Sequence, residues 1–319
     1  MKSLYVRDLE KGMTVAGEVF AVQEVEQGET RNGKPFYKTV FTDKTGTVKG
    51  QIWSDKFDNV DRKALKPGNV VMLDATVDEF RGSLQLNVLK LTRVDETKLD
   101  EFIEASDFDL DDLWEDLTKY IEDIKRDDLR EFLEKIFEDK EFVRNFKTAP
   151  AAVLIHHSFR GGLMEHVLEI LAMADSIRRY YPEADFDLVV VGAILHDIGK
   201  LWEIESVGMV SQFSKKGKLI GHVIQGFEFV IEKASGILDE ETLLQLKHIV
   251  LSHQGEKEYG SPVVPSTIEA ILVSSLDNAS FKIRAFQKII RKDIDKEGDF
   301  TSYDRYAGTS IYKGNVKNG

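Results

Sequence analysis

Two spacings of apolar residues divide this chain. From Met13 to about Val94, apolar and polar positions alternate in short runs rich in β-branched and aromatic residues, broken by turn formers. The pattern predicts strands at Thr14 to Val25, Phe36 to Thr42, Thr47 to Trp53, Val70 to Phe80 and Ser83 to Thr92. Asn32-Gly33, Asp43 to Gly46 and Arg81-Gly82 supply hairpin turns, and a short helix is expected within Ser54 to Leu65 before the stop at Pro67-Gly68. After Val94 the spacing changes to threes and fours. Leu99, Phe102, Ile103, Leu110, Leu113, Trp114, Leu117, Ile121, Ile124, Leu129, Phe132, Leu133, Ile136 and Phe137 recur with helical period against an acidic background. Ala149-Pro150-Ala151 punctuates that stretch, and the remainder to about Ile290 reads as a compact helical bundle.

The expected fold class is therefore multidomain α and β: a five-stranded OB-like β-barrel followed by an all-α bundle. Five strands with a helix between the third and fourth fit the OB arrangement, whose face commonly stacks single strands on aromatic side chains. Phe36, Tyr37, Phe41, Trp53 and Phe80 are the aromatics available, and Phe36, Tyr37 and Trp53 are taken as substrate-binding candidates. Alternation buries about half of such a set. The boundaries expected are 1–95 for the barrel, 96–149 for an acidic helical connector, 150–290 for the bundle and 291–319 for a basic, aromatic tail.

Composition narrows the class. A chain of 319 residues exceeds one small domain, and 42% apolar with 31% charged residues is the balance of a globular protein. There is no run of 18 apolar residues and no signal-peptide pattern at MKSLYVRDLEKGM, so no membrane partner is expected. With no cysteine, a metal must take nitrogen and oxygen ligands, and a reducing cytoplasm is the expected location. The net charge of −13 argues against a polyanionic partner until it is mapped. Asp95 to Glu141 holds 20 acidic and 7 basic residues, which accounts for the whole imbalance. Beyond Phe281, nine basic residues face five acidic ones, interleaved with Phe300, Tyr303, Tyr306 and Tyr312. That tail reads equally as a nucleic-acid contact or as a solvated helical end.

All seven histidines lie between 156 and 253. His166 shares a helical face with Val167, Ile170, Leu171 and Ala174 and points inward. His196-Asp197 ends the apolar run Leu188 to Leu195, His222 opens a helix after Gly221, and His253 closes one before Gln254-Gly255. Asp277 sits in the apolar stretch Ile271 to Ala279, where an unpaired carboxylate is costly to bury. Each has a structural explanation alone, but a single site explains all of them. Imidazoles and carboxylates suit Mn, Fe, Co, Ni or Zn, and an aspartate can bridge two ions. His248, five residues before His253, falls on another face and is not taken as a ligand. Lys200, one turn from the dyad, is a catalytic candidate for steadying phosphate charge, with a solvated helix-end lysine as the equal alternative.

The order His166, His196-Asp197, His222, His253, Asp277 resembles the signature of HD-domain phosphohydrolases in the form with two additional histidines. With the barrel in front, the chain from Met13 to about Ile290 resembles the YhaM-type 3′-to-5′ exoribonucleases, and His156 to Leu163 is similar to their approach to the HD domain. The resemblance implies one ion on His166, His196, Asp197 and Asp277, and a second on Asp197 as bridge with His222 and His253, with Mn favoured. It implies 3′-to-5′ hydrolysis of single-stranded RNA, with single-stranded DNA a further candidate, by metal-activated water, releasing nucleoside 5′-monophosphates, with Asp197 central to the catalysis. His157 and Arg160 are candidates for gripping substrate phosphate or for capping the following helix. A homo-oligomer is expected from the connector and tail. Two other functions stay open at this point: an HD phosphohydrolase of free or cyclic nucleotides with a regulatory barrel, and a non-catalytic nucleic-acid scaffold.

Overall fold

The computed structural model describes residues 2–30, 32–80, 82–94, 108–153, 159–207, 210–294 and 297–314. They fall into two units: Met1–Ala105 with Glu205–Gln212, and Ser106–Ile204 with Phe213–Gly319. Among the described residues no helix is long and apolar enough to cross a membrane.

The first unit is a closed barrel. Strands β1 (Thr14–Glu29), β2 (Pro35–Asp43), β3 (Gly46–Trp53), β4 (Val70–Phe80) and β5 (Ser83–Val94) hydrogen-bond in the order β1-β2-β3-β5-β4, with β4 returning to β1. Only the β3–β5 pairing is parallel. Period-2 alternation sends Val15, Phe20, Val22, Phe41, Ile52, Leu73, Leu86 and Leu91 into one core. The long strand β1 serves two neighbours by shifting register between Val22 and Glu24 against β2 and between Val15 and Glu18 against β4. Such bulges supply the bend that closure requires.

The helix expected between β3 and β4 is instead two 3-10 turns, Ser54–Asn59 and Arg62–Ala64. Phe57 is the only apolar residue in the first turn, too little to hold an amphipathic helix, while Val60, Ala64 and Leu65 pin the segment to the barrel core. A short hairpin, β6 (Ile204–Val207) with β7 (Val210–Phe213), had no legible pattern in the sequence; Val210 packs with Ala21 and Val70.

The second unit is helical: α1 (Leu110–Glu122), α2 (Asp127–Phe137), α3 (Lys140–Thr148), α4 (Gly162–Ile177), α5 (Phe186–Leu195), α6 (Lys200–Glu203), α7 (Lys215–Ile220), α8 (His222–Ala234), α9 (Glu240–Ser252) and α10 (Ile268–Lys292). Several acidic residues of the 95–141 stretch have local work: Asp109 and Asp139 cap α1 and α3 by accepting from backbone N–H groups. Helices α1 to α3 share one core with α4, α5, α8, α9 and α10, through Leu117, Leu129, Phe132, Phe146, Leu163, Ile194, Val230, Val250 and Val273. Helix α5 is the centre of that core. Nine of its residues are buried, and it packs against α2, α4, α9 and α10. A helix apolar on all sides is stable only in such surroundings, and its polar C-terminal residues are thereby placed deep in the protein.

Arg126 ties three of these helices together. Its guanidinium donates to Asp128 of α2 at 2.6 and 3.2 Å, to Asp185 at the start of α5 at 2.7 Å and to Thr242 of α9 at 2.7 Å. Asp187 meanwhile accepts from the Lys125 and Arg126 backbone N–H groups, both at 2.8 Å. The Arg126 fork holds the Asp128 carboxyl below its ordinary value. A depressed carboxylate stabilises the fold above its unfolded pKa of about 3.9, and that contribution is lost as pH falls through the lower folded value. Arg126→Ala is expected to destabilise the helical unit by about 1–3 kcal/mol at neutral pH. The gap from wild type in urea midpoints should narrow on acidification below about pH 4; an equal gap at both pH values would sink the electrostatic account.

Candidate metal centre

The site begins where α5 ends. Its last turn leaves His196 as the C-cap, and Asp197 and Gly199 follow before α6. Gly199 permits the close approach this requires: a Cβ there would lie 1.9 Å from the His222 carbonyl oxygen and 2.7 Å from the Gly226 nitrogen. The backbone carrying Asp197 thus rests directly on the first turn of α8, which starts with His222. His253 arrives as the C-cap of α9, while α4 and α10 bring His166 and Asp277.

Asp197 is 3% exposed, and its two carboxylate oxygens face different partners. Oδ2 lies 3.4 Å from His196 Nε2 and 3.8 Å from His166 Nε2, and Asp277 Oδ1 lies 3.1 Å from His166 Nε2 and 3.9 Å from His196 Nε2. Oδ1 lies 3.4 Å from His222 Nε2 and 3.5 Å from His253 Nε2. The structure therefore brings together all six predicted ligands, as two groups that share Asp197.

Every imidazole is oriented from behind. His196 Nδ1 donates to the Ala193 carbonyl at 2.8 Å and His253 Nδ1 to the Val250 carbonyl at 2.7 Å. His222 Nδ1 donates to Glu203 Oε1 at 3.0 Å, and the same oxygen accepts from the His222 backbone N–H at 2.9 Å. His166 Nδ1 is 3.1 Å from Ser280 Oγ, whose hydroxyl donates to Glu169 at 2.8 Å, and Glu169 is held in turn by Arg284. With each Nδ1 carrying the proton, each Nε2 lone pair converges on Asp197, the tautomer that metal ligation uses. His196 Nε2 is buried with no hydrogen-bond partner among the described residues, which an apolar core would penalise and a cation would satisfy. The donor set fits a divalent metal.

Electrostatics agree. Burial pushes the His166 imidazole down to about 4, only partly offset by Asp277, and burial likewise lowers His253. For Asp197, burial acts upward but is outweighed by the Lys200 ammonium and by His196 and His253, so its carboxyl sits well below the usual range. Asp277 is lowered to about 2, again against burial, by His166 and His196. His196 is the exception: burial opposes its proton, but Asp197 and Asp277 together raise it. A cation held by the same carboxylates would take the place of that proton.

Lys200 Nζ lies 2.5 Å from Asp197 Oδ2, so this lysine is an ion-pair partner of the shared carboxylate rather than a solvated helix end. His248 accepts from the Ser266 backbone N–H at 2.8 Å and stays outside the cluster. Arg160 is exposed just before α4, and His157 lies outside the described residues. On the barrel, Phe36 and Trp53 are cross-strand partners with ring centroids 5.5 Å apart, and Trp53 is exposed. Lys38 Nζ stands 5.8 Å from the Phe36 ring. Tyr37 points the other way and packs on Phe57 at 5.3 Å, and Phe41 is fully buried in the barrel core. Phe36 and Tyr37 therefore occupy opposite faces, as adjacent strand residues must.

Glu203, Gln254, Ser280, Glu169 and Arg284 went unread in the sequence. Ser280 and Arg284 follow Asp277 at helical spacing, as Glu169 follows His166, so their shared faces were legible. Glu203 lies 19 residues from the histidine it holds, and no periodicity links them. Gln254 donates its side-chain amide to His222 Nε2 at 3.1 Å, inside the cluster's second half.

Comparison with known proteins follows the same division. Residues 13–94 match the family described as OB-fold nucleic acid binding domain, and residues 163–281 the family described as HD domain. The chain is 31% identical over 284 residues to the 3′-5′ exoribonuclease YhaM of Oceanobacillus iheyensis, covering 88% of this chain and 87% of that protein. It is 32% identical over 304 residues to the protein of the same name from Listeria monocytogenes, covering 92% and 93%. A Geobacillus protein of that name is 32% identical over 288 residues, covering 88% and 86%.

Glu203→Ala is expected to weaken divalent-metal binding at the His222 side about 10–100-fold, the usual size of losing an outer-shell carboxylate. Calorimetric titration with Mn²⁺ reads this directly, and unchanged affinity would show that His222 needs no such support. Gly199→Ala, which must push α8 off the Asp197 turn, should cost about 1–3 kcal/mol by thermal unfolding and lower metal uptake as well.

Proposed function

The chain belongs to the YhaM family of 3′-5′ exoribonucleases, and from that membership we propose that it is a metal-dependent exonuclease that shortens single-stranded RNA from the 3′ end. The reading extends to single-stranded DNA as a substrate, to nucleoside 5′-monophosphates as products and to two ions as the working complement. One observation carries it: the buried Asp197 carboxylate turns each of its oxygens toward its own pair of imidazole Nε2 atoms.

His166, His196, Asp197 and Asp277 would hold one ion, and Asp197, His222 and His253 the other, with Mn the first choice. Bound divalent ions lower the pKa of water and neutralise charge building on a phosphoryl oxygen. The chain's own residues do the rest. Glu203 and the Ser280–Glu169–Arg284 relay fix the rings of His222 and His166. Lys200 holds Asp197 from the side and places a positive charge beside the site, where an incoming phosphate would be drawn to it. Trp53, 40% exposed and backed by the buried ring of Phe36, offers with Lys38 a stacking surface for unpaired bases on the barrel's outer face. Arg160 and His157 are retained as candidates for gripping phosphate near the start of α4.

An end-labelled single-stranded RNA incubated with Mn²⁺ tests this reading. Wild type should shorten it stepwise, and Asp197→Ala should abolish shortening while leaving RNA affinity within about twofold, because it removes the shared ligand and leaves the barrel intact. Trp53→Ala should weaken RNA binding about tenfold, within the range for losing one base–aromatic stack. Turnover of free nucleotides with no shortening of RNA would overturn the exonuclease reading in favour of a nucleotide phosphohydrolase.

A further inference from the structure

Residues 297–314 fold into a hydrogen-bonded loop tied to Asp293. Thr301 N–H donates to the Ile311 carbonyl at 2.8 Å, Lys313 N–H to the Asp299 carbonyl at 2.8 Å, and Ser302 N–H to the Asp293 carboxylate at 2.7 Å. At the tip, Asp304 accepts from the backbone N–H groups of Tyr306 and Ala307 at 2.8 and 2.9 Å. Thr301 and Ile311 are buried beneath the loop, yet Tyr306 is 52% exposed. Its ring meets Phe281 edge-on, with centroids 5.4 Å apart.

Phe281 is four residues beyond Asp277, so it lies on nearly the same face of α10, about 6 Å further along the axis. The rim continues through the loop after His253. A Cβ on Gly255 would come within 2.9 Å of Ser274 Oγ on α10, and one on Gly260 within 3.0 Å of Gln254 Oε1. Gln254 itself reaches His222 Nε2. Tyr259, next to Gly260, is 68% exposed. The Tyr306 hydroxyl is pushed up by burial and then by Tyr259, which places the two phenols in each other's field. Ring contact thus joins Tyr306 to Phe281, one turn of α10 beyond Asp277, and Gln254, at the start of the loop that carries Tyr259, reaches His222.

We propose that Phe281, Tyr306 and Tyr259 form a stacking platform for the terminal nucleobase of the strand whose scissile phosphate lies at Asp197. The proposal rests on the phosphodiesterase reading above and adds the subsite that receives the last base. Its position explains the occupant: a nucleotide whose phosphate is at the ligand cluster carries its base about one helical turn away, and Phe281 stands one turn of α10 beyond Asp277 with Tyr306 against it. Flat aromatic faces accept any base, so such a platform is indifferent to sequence, as removal of successive nucleotides requires. Tyr306 is presented by a loop already hydrogen-bonded in place, so little ordering cost falls on binding.

Steady-state kinetics of the full-length protein on two oligonucleotides, one with an ordinary 3′ end and one ending in an abasic residue, test the platform. Wild type should show a KM about tenfold higher for the abasic end with kcat within about twofold, the size expected for one lost stack. Tyr306→Ala and Tyr259→Ala should raise KM for the ordinary end by a similar factor and cease to distinguish the two ends, with Mn²⁺ content unchanged; Tyr306→Phe should behave as wild type. In an Asp197→Ala background, a 3′-terminal 2-aminopurine should be quenched on binding, and addition of Tyr306→Ala should restore its fluorescence. Wild type that processes both ends equally, or a Tyr306→Ala protein that still discriminates between them, overturns the platform while leaving the exonuclease reading intact. Wild type that shortens neither oligonucleotide overturns that reading instead, and unquenched 2-aminopurine would then remove the platform too.

Discussion

A buried carboxylate at the end of a buried apolar helix organises the helical unit. Asp197 follows α5, whose apolar residues are surrounded on all sides, and an anion at that depth needs compensation from several directions. Lys200 supplies part of it directly, and the four imidazole Nε2 atoms that face the carboxylate would supply the rest through a shared cation. They come from α4, α8, α9 and the segment around α6, so the electrostatic demand of one residue dictates how four parts of the bundle converge. Gly199 makes the convergence sterically feasible by letting the Asp197 turn rest on α8. The same demand explains why the cluster suits a cation: burial disfavours the protons of His166 and His253, which leaves their nitrogens beside two carboxylates held below their usual range.

Support for the ligands is divided by kind. Two histidines, His196 and His253, sit at helix C-termini and give their Nδ1 protons to carbonyls one turn back, so their orientation comes from helix geometry alone. The other two, His166 and His222, lie at or within the start of a helix, where no such carbonyl is available. Each instead relies on a carboxylate, Glu203 directly for His222 and Glu169 through Ser280 for His166. Helix ends and outer carboxylates are thus two solutions to one requirement, that Nε2 remain the free donor. Each half of the cluster contains one histidine of each kind.

These physical differences also decide what was legible in the sequence. Period-2 and period-3.6 patterns carry the barrel strands and the main helices because each reports a buried face, and five strand positions agree with those expected to within a few residues at their ends. The six candidate ligands drew notice because polar side chains stood out on apolar faces or beside helix-ending glycines. What failed to show was set by tertiary contact. The segment after β3 lacks the apolar residues to stabilise an α-helix and takes its 3-10 form from anchors across the barrel. Glu203 looks like any surface acid at the end of a four-residue helix until His222 is brought beside it by folding. Phe36 and Tyr37 could not be separated by composition; only the strand pleat sends one outward and the other onto Phe57.

Charge distribution bears on how such a chain accommodates a polyanion. Residues 1–94 hold 15 basic and 13 acidic side chains, so the barrel segment is close to neutral, and the acidic surplus is confined to 95–141. Exposed charges are screened beyond about 8–10 Å at physiological ionic strength, so acidic side chains weigh on a bound strand only where they lie within that range of it. A near-neutral barrel cannot draw its affinity from a broad basic stripe. On the proposed function, affinity must come from stacking on rings such as Trp53, supplemented locally by Lys38, while the charge at the metal cluster acts on the phosphate to be cut. That division suits a sequence-indifferent enzyme: moderate grip along the strand permits it to advance, while the strongest electrostatics are reserved for the bond to be cut.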